Sequence, residues 1–251
     1  MTTKPKLAYF ETWMDPEGPR RIEASGRVDL LHLRYGSPEA ENWAALRGAH
    51  GYQTAPRGEL QEPWFGNAQF LARCPDLLAI SSTGAGYDTV DVEACTKAGI
   101  LVCNQSGSNV EAVAEHALAL ILCLSKQIAQ SDKALRREPG VDRFLYTGRE
   151  LGGRTVGIVG LGRIGTRVAE LCRVLFGMKI LAFDPYLDTA EIARRGATKV
   201  EFRDLLAQAD YVSVNCPRSA ETMRMFDAAA FAAMKPTAYF VTTARGGIHD
   251  E

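Results

Sequence analysis

The chain has 251 residues, of which 46% are hydrophobic and 24% are charged, and its formal net charge is −1. This length fits one large domain or two ordinary ones, and the composition is that of a soluble globular protein. The near-zero net charge excludes a bulk electrostatic attraction to nucleic acid or to an anionic membrane. The longest apolar stretch, AVAEHALALILCL, contains Glu115 and His116 and is too short to span a bilayer.

The cysteines form no C-x-x-C pair and have no spacing typical of a metal site, so we predict no bound metal. Most of them lie in apolar runs, as buried free thiols do in a reducing compartment. The N-terminal segment MTTKPKLAYFETW has no signal-peptide core, so we expect a cytoplasmic protein. The six cysteines are Cys74, Cys95, Cys103, Cys123, Cys172 and Cys216.

Predicted strands and helices alternate nearly throughout, which indicates parallel sheets covered on both faces. In the first part of the chain, KLAYFE, VDLLHLR, LLAISSTG and ILVCN are predicted strands. The segments QEPWFGNAQFLARCP and TVDVEACTKAG are predicted helices that stop at Pro75 and Gly99. We expect residues 1–104 to form one small α/β domain.

A long amphipathic helix is predicted next, roughly from Val110 to Arg137, with Ser108 or Asn109 as its N-cap. It opens a second predicted domain over residues 105–251. The irregular stretch REPGVDRFLYTGRELGG separates this helix from the segment that is most informative about function.

That segment is TVGIVGLGRIGTRVAELCRVLFGMKILAFD, residues 155–184. A predicted strand leads into G-x-G-x-x-G, formed by Gly160, Gly162 and Gly165, and an amphipathic helix and a second strand follow. In a dinucleotide site these glycines allow the tight turn, the approach of a pyrophosphate and the close packing of the helix. The helix start offers N–H groups to the phosphates. Asp184, 19 residues after Gly165, stands where a carboxylate accepts hydrogen bonds from a ribose.

The second domain continues with the predicted strands ATKV, YVSVNC and AYFVTT, and helices are predicted over DTAEIARRG, EFRDLLAQA and DAAAFAAMK. The chain stops at IHDE, immediately after the fifth strand, where a helix should begin. We therefore expect an incomplete chain whose fifth strand has an exposed apolar edge.

Four segments together resemble the D-2-hydroxyacid dehydrogenase family, which includes phosphoglycerate, glyoxylate, hydroxypyruvate and D-lactate dehydrogenases. They are STGAGYDTVD, SNVEAVAEHALALIL, the GLGRIG unit with FDPY, and TTARGGIHDE. The resemblance implies two doubly wound parallel-sheet α/β domains: a flavodoxin-like substrate domain and a Rossmann NAD-binding domain, here without its C-terminal part. It further implies hydride transfer between NAD(H) and a D-2-hydroxy acid/2-oxo acid pair. It also implies a homodimer whose interface includes the long helix from Val110 to Leu124 and the loop that follows.

The resemblance also implies roles for individual residues. Arg245 matches the catalytic arginine, and Ala85 and Gly86 match the loop whose N–H groups hold the substrate carboxylate. Asp184 matches the adenosine-ribose ligand, which argues for NAD over NADP. The remaining cofactor-binding matches are Val110, Gly160, Gly162, Arg163, Ile164, Gly165, Cys216, Pro217, Thr222, Thr243 and Ala244. The family's catalytic Glu and His lie downstream of the arginine motif, beyond Glu251, so we expect weak or no turnover from residues 1–251 alone.

Other readings compete with these assignments. Arg245 is alternatively a solvated loop arginine, and Asp184 alternatively caps the turn before Pro185. We interpret Arg194 and Arg195 as solvated helix residues rather than phosphate ligands. The alternative function is an NAD(H)-sensing binding protein that resembles the C-terminal-binding-protein corepressors.

The histidines and tryptophans are weaker candidates. We interpret His116 as a packed or interface histidine, and we expect His249 to begin a helix that leaves the site rather than to donate a proton. His32 falls in an early strand and His50 in a turn. The tryptophans are interpreted as packing or interface residues; they are Trp13, Trp43 and Trp64.

Overall fold

The computed structural model describes residues 4–137 and 139–250. The chain divides into two compact units, Met1–Asn109 and Val110–Glu251. Each unit contains a five-stranded sheet in which all strands are parallel. The predicted doubly wound α/β class is therefore confirmed.

The first unit has the strand order β2-β1-β3-β4-β5, which is the flavodoxin-like order. Helices fill the connections between consecutive strands, as parallel pairing requires. The strands are β1 (Lys6–Phe10), β2 (Asp29–Leu33), β3 (Gly51–Thr54), β4 (Ala79–Ser82) and β5 (Leu101–Cys103). The helices are α1 (Glu17–Ser25), α2 (Glu39–Arg47), α3 (Ala68–Arg73) and α4 (Val92–Lys97).

All four strands predicted for this unit are confirmed, but β3, α1 and α2 were not anticipated. The helix predicted from Gln61 to Pro75 is wrong in its first half, because only α3 is helical. Upstream of α3, Gly66 pairs with Val90 in an isolated bridge, and Asn67 caps α3 by accepting a hydrogen bond from Phe70 N–H. A backbone held in that bridge cannot also continue a helix.

Aromatic side chains fill the core of the first unit. Trp43 and Trp64 are buried with ring centroids 4.7 Å apart, and Tyr52 stacks on Phe70 at 4.9 Å. Buried aromatic pairs of this kind stabilise a core beyond the area they bury. The interpretation of these tryptophans as packing residues is confirmed. Trp13 likewise packs edge-on against Tyr9.

The second unit has the strand order β10-β9-β6-β7-β8. Counted within the unit, this is 5-4-1-2-3, the order of a Rossmann dinucleotide-binding fold. The strands are β6 (Thr155–Val159), β7 (Lys179–Phe183), β8 (Thr198–Lys199), β9 (Tyr211–Val214) and β10 (Tyr239–Thr242). The helices are α5 (Val110–Ser125), α6 (Ile128–Arg137), α7 (Arg163–Phe176), α8 (Thr189–Arg194), α9 (Phe202–Gln208) and α10 (Ala228–Ala233), with a short 3-10 helix at Arg143–Tyr146.

The long helix predicted from Val110 to Arg137 is instead two helices, α5 and α6, which meet at an angle of 57°. At the break Gln127 has a φ of 53°, and Arg149 N–H donates to the Ser125 carbonyl at 2.7 Å. The Ser125 carbonyl at the end of α5 is therefore bonded to the later segment that contains Arg149, and the helix does not continue. Helix α5 begins at Val110, so Asn109 lies at its N-cap position as predicted, but the buried Asn109 Oδ1 has no hydrogen-bond partner among the described residues. Ser108 Oγ donates to the Gln105 carbonyl.

Across the described residues, no single helix is both long enough and apolar enough to cross a membrane, whereas the bent pair α5 and α6 meets that criterion when its two parts are joined.

A hydrogen-bonded carboxylate ties the start of β6 to the elements beside it. Asp210 Oδ2 accepts from Thr155 N–H at 2.9 Å, and its Oδ1 accepts from Lys235 Nζ at 3.0 Å. Burial by itself would raise the pKa of Asp210, but these two donors together hold the pKa below its usual value. Asp210 therefore stabilises the fold in its charged form.

We expect Asp210→Asn to lower the free energy of unfolding by about 1–2 kcal/mol at neutral pH, since it removes a charged acceptor from two donors. The folded-state pKa is depressed, so this stabilisation is complete above the unfolded value of about 3.9. It is lost as the pH falls through the folded-state pKa. Urea unfolding of both proteins at several pH values measures this difference, and Asp204→Asn, at an exposed position on α9, is the control. A difference that persisted unchanged at acid pH would contradict the assignment.

Candidate cofactor and substrate sites

The glycine loop joins β6 to α7 at the carboxyl edge of the second sheet. Gly160 has a φ of 86°, and a Cβ there would lie 2.7 Å from the Cys216 backbone nitrogen. A Cβ on Gly165 would overlap the Gly160 carbonyl oxygen. Both positions therefore require glycine, the first for its conformation and both for close packing. Gly162 differs, because a Cβ there would meet nothing within 4 Å.

The absence of a side chain at Gly162 leaves open space in front of α7. Gly162 is the N-cap of this 14-residue helix, and Thr166 N–H donates to its carbonyl at 2.9 Å. Arg163 is exposed and Ile164 half-buried in the first turn. The N–H groups of that turn have no intrahelical acceptor, and they carry the positive end of the helix dipole. This combination favours an anion such as a phosphate.

Asp184 follows β7 and is bonded to the glycine loop. Its Oδ2 accepts from Leu161 N–H at 2.9 Å, and its Oδ1 accepts from Tyr186 N–H at 3.0 Å. The second bond is the turn cap that we considered as the alternative role for Asp184. The two roles do not exclude each other, since a carboxylate has about four lone-pair sites and two remain for an external donor.

The segment after β9 forms the opposite wall. Asn215 N–H donates to the Val159 carbonyl at 2.8 Å, which brings Cys216 and Pro217 alongside the glycine loop. Thr222 Oγ1 closes the following turn by donating to the Pro217 carbonyl at 2.7 Å. Burial raises the pKa of the Cys216 thiol, so this group is a neutral, apolar part of the wall.

These segments enclose a pocket of about 360 Å³. Gly160, Gly162 and Asp184 lie on one side of it, and Cys216, Pro217 and Thr222 lie on the other. Tyr186 and Glu221 belong to the same lining, and the Tyr186 hydroxyl donates a hydrogen bond to Glu221 Oε2. That bond raises the pKa of the Tyr186 phenol.

The pocket suits a dinucleotide in its chemistry as well as its position. It has an apolar wall, an anion-binding helix start and a carboxylate acceptor, which match an adenine, a pyrophosphate and a ribose in turn. The open space at Gly162 lies where the backbone must be approached closely. The described residues therefore fit NAD, with Asp184 and the first turn of α7 as the groups that would hold it.

Several predicted residues lie outside this lining. Val110 is the first residue of α5 and is half-buried. Thr243 and Ala244 follow β10, and Arg245 comes next with an exposed side chain. Arg245 Nη1 donates to the Ala244 carbonyl at 2.8 Å. This places a permanently charged guanidinium at the carboxyl end of a strand, where α/β sheets bind ligands.

In the first unit, the loop after β4 carries Ala85 and Gly86. Their carbonyls are fixed, because Asn104 Nδ2 donates to Ala85 O at 2.9 Å and Ser82 Oγ donates to Gly86 O at 2.5 Å. The N–H groups of Ala85 and Gly86 have no acceptor among the described residues. Adjacent N–H groups without an acceptor are a feature that anion-binding loops use.

His249 does not begin a helix, contrary to the prediction. It forms a parallel bridge with Phe226, its ring packs against Phe240 at a centroid distance of 5.6 Å, and the adjacent Asp250 pairs with Arg224. His116 is exposed on α5, so it is not packed within its own unit, and an interface role stays a prediction.

The interpretation of Arg195 as a solvated residue was wrong. Its Nη1 donates to the Leu161 carbonyl in the glycine loop at 2.5 Å. Local sequence patterns do not predict this contact, because 34 residues separate the partners. Arg194, in contrast, has 74% of its side chain exposed, as expected.

Comparison with known proteins identifies the family. Residues 118–251 match the model for the NAD-binding domain of D-isomer specific 2-hydroxyacid dehydrogenases. The chain is 45% identical over 185 residues to D-3-phosphoglycerate dehydrogenase from Mycobacterium leprae, a match covering 74% of this chain and 35% of that protein. The matched part thus spans about a third of that relative's length.

Two further relatives match nearly all of the chain. Glyoxylate reductase from Thermococcus litoralis is 35% identical over 254 residues, covering 98% of this chain and 74% of that protein. The crystal structure of D-lactate dehydrogenase from Aquifex aeolicus, complexed with NAD and lactic acid, is similar with a TM-score of 0.82 and 28% identity, covering 97% of this chain and 70% of that one. The chain therefore belongs to the D-isomer specific 2-hydroxyacid dehydrogenase family, and its second unit is the NAD-binding domain.

Proposed function

We propose that this protein is an NAD-dependent oxidoreductase that interconverts a D-2-hydroxy acid and the corresponding 2-oxo acid. The observation that carries the proposal is the pocket in which the glycine loop, Asp184 and the Cys216–Pro217 segment converge. NADH, when bound, supplies the hydride that reduces the keto carbon. The protein has to hold both reactants and stabilise the charge that develops on oxygen.

Arg245 is the proposed anchor for the 2-oxo acid. Its guanidinium presents a planar fork of donors that matches a carboxylate and an adjacent keto oxygen. During reduction the keto oxygen becomes an alkoxide. A fixed positive charge stabilises the alkoxide more than it stabilises the neutral carbonyl, so it lowers the barrier to hydride transfer. The position of Arg245 in the loop after β10, three residues beyond Thr242, supports this role.

The N–H groups of Ala85 and Gly86 are the proposed partners of the substrate carboxylate. Their carbonyls are already bonded to Asn104 and Ser82, so the loop is ordered without using its N–H groups. We do not assign the proton donor to His249, because its ring packs against Phe240. The acid–base pair of the family is expected C-terminal to Arg245, as the resemblance implies.

The function is tested by titrating residues 1–251 with NADH and by measuring NADH oxidation with glyoxylate, hydroxypyruvate, pyruvate and 3-phosphohydroxypyruvate. The turnover assay uses the longest natural polypeptide that contains these residues. We expect NADH binding and turnover of at least one 2-oxo acid. Binding without turnover of any of them is the result expected of an NAD(H)-sensing protein, and no NADH binding would contradict the whole proposal.

Asp184 should set a preference for NADH over NADPH, since a carboxylate repels a 2′-phosphate. Glu221, bonded to Tyr186 at the same pocket, adds a second negative charge. We expect Asp184→Ala to weaken NADH binding and to bring the ratio of the NADPH and NADH dissociation constants closer to one. Fluorescence titration with both nucleotides measures the ratio, and Asp204→Ala, at an exposed position on α9, is the control. Equal affinity of the unmodified protein for NADH and NADPH would contradict the proposal.

Arg245→Ala should lower kcat/KM by roughly a hundredfold or more, because a charge-assisted bidentate contact is lost. Arg245→Lys should recover only part of the activity, since an ammonium cannot reproduce the planar fork. Steady-state assays with the best 2-oxo acid measure both, and Arg203→Ala on α9 is the control. Near-normal turnover of Arg245→Ala would rule out Arg245 as the anchor.

We also propose a homodimer formed through α6 and the 3-10 helix that follows it. Four apolar side chains there are more than half exposed in a single chain, namely Ile128, Leu135, Phe144 and Leu145. A second copy is the proposed cover for this apolar surface. Sedimentation should give a dimer, and Leu135→Asp combined with Phe144→Asp should give a folded monomer. A monomeric unmodified protein would refute this part of the proposal.

A further inference from the structure

The peptide groups on both sides of Leu161 are each held by a charged side chain. The N–H of Leu161 donates to Asp184 Oδ2 at 2.9 Å, and its carbonyl accepts from Arg195 Nη1 at 2.5 Å. Leu161 itself is fully buried between Gly160 and Gly162. Glycine neighbours allow the backbone many conformations, and these two bonds restrict it, together with a third from Thr166 Oγ1 to the same carbonyl at 3.2 Å.

Arg195 is itself fixed in place. Its Nε donates to Glu191 Oε1 at 2.6 Å, and only 30% of its side chain is exposed. Glu191 is held at the start of α8, where its N–H donates to the Asp188 cap at 2.7 Å. Arg194 pairs with the same glutamate but is 74% exposed. Two neighbouring arginines thus share one anchor, and Arg195 bonds to the Leu161 carbonyl.

The planarity of the peptide gives this contact a consequence for ligand binding. The Leu161 carbonyl and the Gly162 N–H belong to one trans peptide, so they point in opposite directions. When Arg195 holds the carbonyl, it also fixes the direction of the Gly162 N–H, away from the guanidinium. Gly162 lines the pocket and stands at the start of α7, where the pyrophosphate of a dinucleotide is expected.

We propose that Arg195 is a positioning residue for the diphosphate of the nucleotide, acting through the Leu161–Gly162 peptide and not by direct contact with the ligand. The inference rests on the proposed nucleotide pocket and adds a residue to it. Arg195 connects two parts of the structure: its Nε donates to Glu191, which orients the guanidinium, and its Nη1 donates to the Leu161 carbonyl of the glycine loop. Its loss should weaken ligands that contain a diphosphate and leave ligands without one unaffected.

The test compares ADP with adenosine, each measured by displacement of NADH from the full chain. ADP carries the diphosphate, whereas adenosine offers the same base and ribose. For Arg195→Met we expect ADP affinity to fall about two- to thirtyfold, the range for a change transmitted to a site through its neighbours. Adenosine affinity should stay within roughly twofold of the unmodified protein, since a base and ribose do not use the Gly162 N–H.

Three further variants separate the hydrogen bond from the charge. Arg195→Gln keeps a donor without a charge, and Arg195→Lys keeps both, so each should bind ADP better than Arg195→Met. Arg194→Met removes a neighbouring charge and should bind ADP like the unmodified protein. Unchanged adenosine binding in all variants also shows that each is folded.

The outcomes are distinct. If Arg195→Met binds ADP as tightly as the unmodified protein, or if Arg195→Gln and Arg194→Met lose as much ADP affinity as Arg195→Met, the positioning role is overturned while the proposed function stands. If ADP and adenosine affinities fall equally, Arg195 is merely structural and the inference is again overturned. If the unmodified protein binds neither ADP nor NADH, the proposed function fails and this inference fails with it.

Discussion

The close approach of α7 to the end of β6 is the constraint on which the cofactor site depends. Gly165 faces the Gly160 carbonyl so closely that a single Cβ would overlap it. This contact sets where the first turn of α7 begins, and therefore where its N–H groups lie relative to the sheet edge. Gly160 in turn leaves room for the backbone of Cys216. The glycine loop and the Cys216 segment can therefore approach each other only because Gly160 has no Cβ.

The cofactor site also depends on the charges that surround the glycine loop. A helix start is positive and attracts anions, while Asp184 is negative and accepts from hydroxyl groups. The bond from Leu161 N–H to Asp184 keeps these opposite charges on neighbouring parts of one pocket. In the binding mode that we propose, the phosphates of the dinucleotide lie at the helix start and its ribose hydroxyls donate to Asp184. Arg195 adds a positive charge to this arrangement, since it donates to the Leu161 carbonyl of the same loop.

The sequence predicted the second unit better than the first. Its strands and helices have strong apolar periodicity, and α7 is the amphipathic helix that was predicted to follow the glycine motif. In the first unit β3 is only four residues long and includes Gly51 and Gln53, so it has no apolar run to detect, yet Tyr52 is fully buried. Helix α1 buries no residue at all, so it has no apolar face to reveal it.

The remaining errors have one physical origin, which is contact between residues far apart in the chain. The break between α5 and α6 has no Gly or Pro to mark it, and it depends on Arg149 bonding to Ser125. The contact between Arg195 and Leu161 likewise joins α8 to the glycine loop. Local pattern predicts the glycine loop and Asp184 because dinucleotide binding fixes their spacing. It cannot predict partners that only the folded chain brings together.

The central claim is that the second unit binds NAD through the first turn of α7 and Asp184. A crystal structure of the protein with NADH tests this most directly. We predict that the pyrophosphate oxygens accept hydrogen bonds from the N–H groups at Gly162 and the residues that follow, and that the adenosine ribose hydroxyls donate to Asp184. A nucleotide bound elsewhere, or one whose ribose makes no contact with Asp184, would contradict the account.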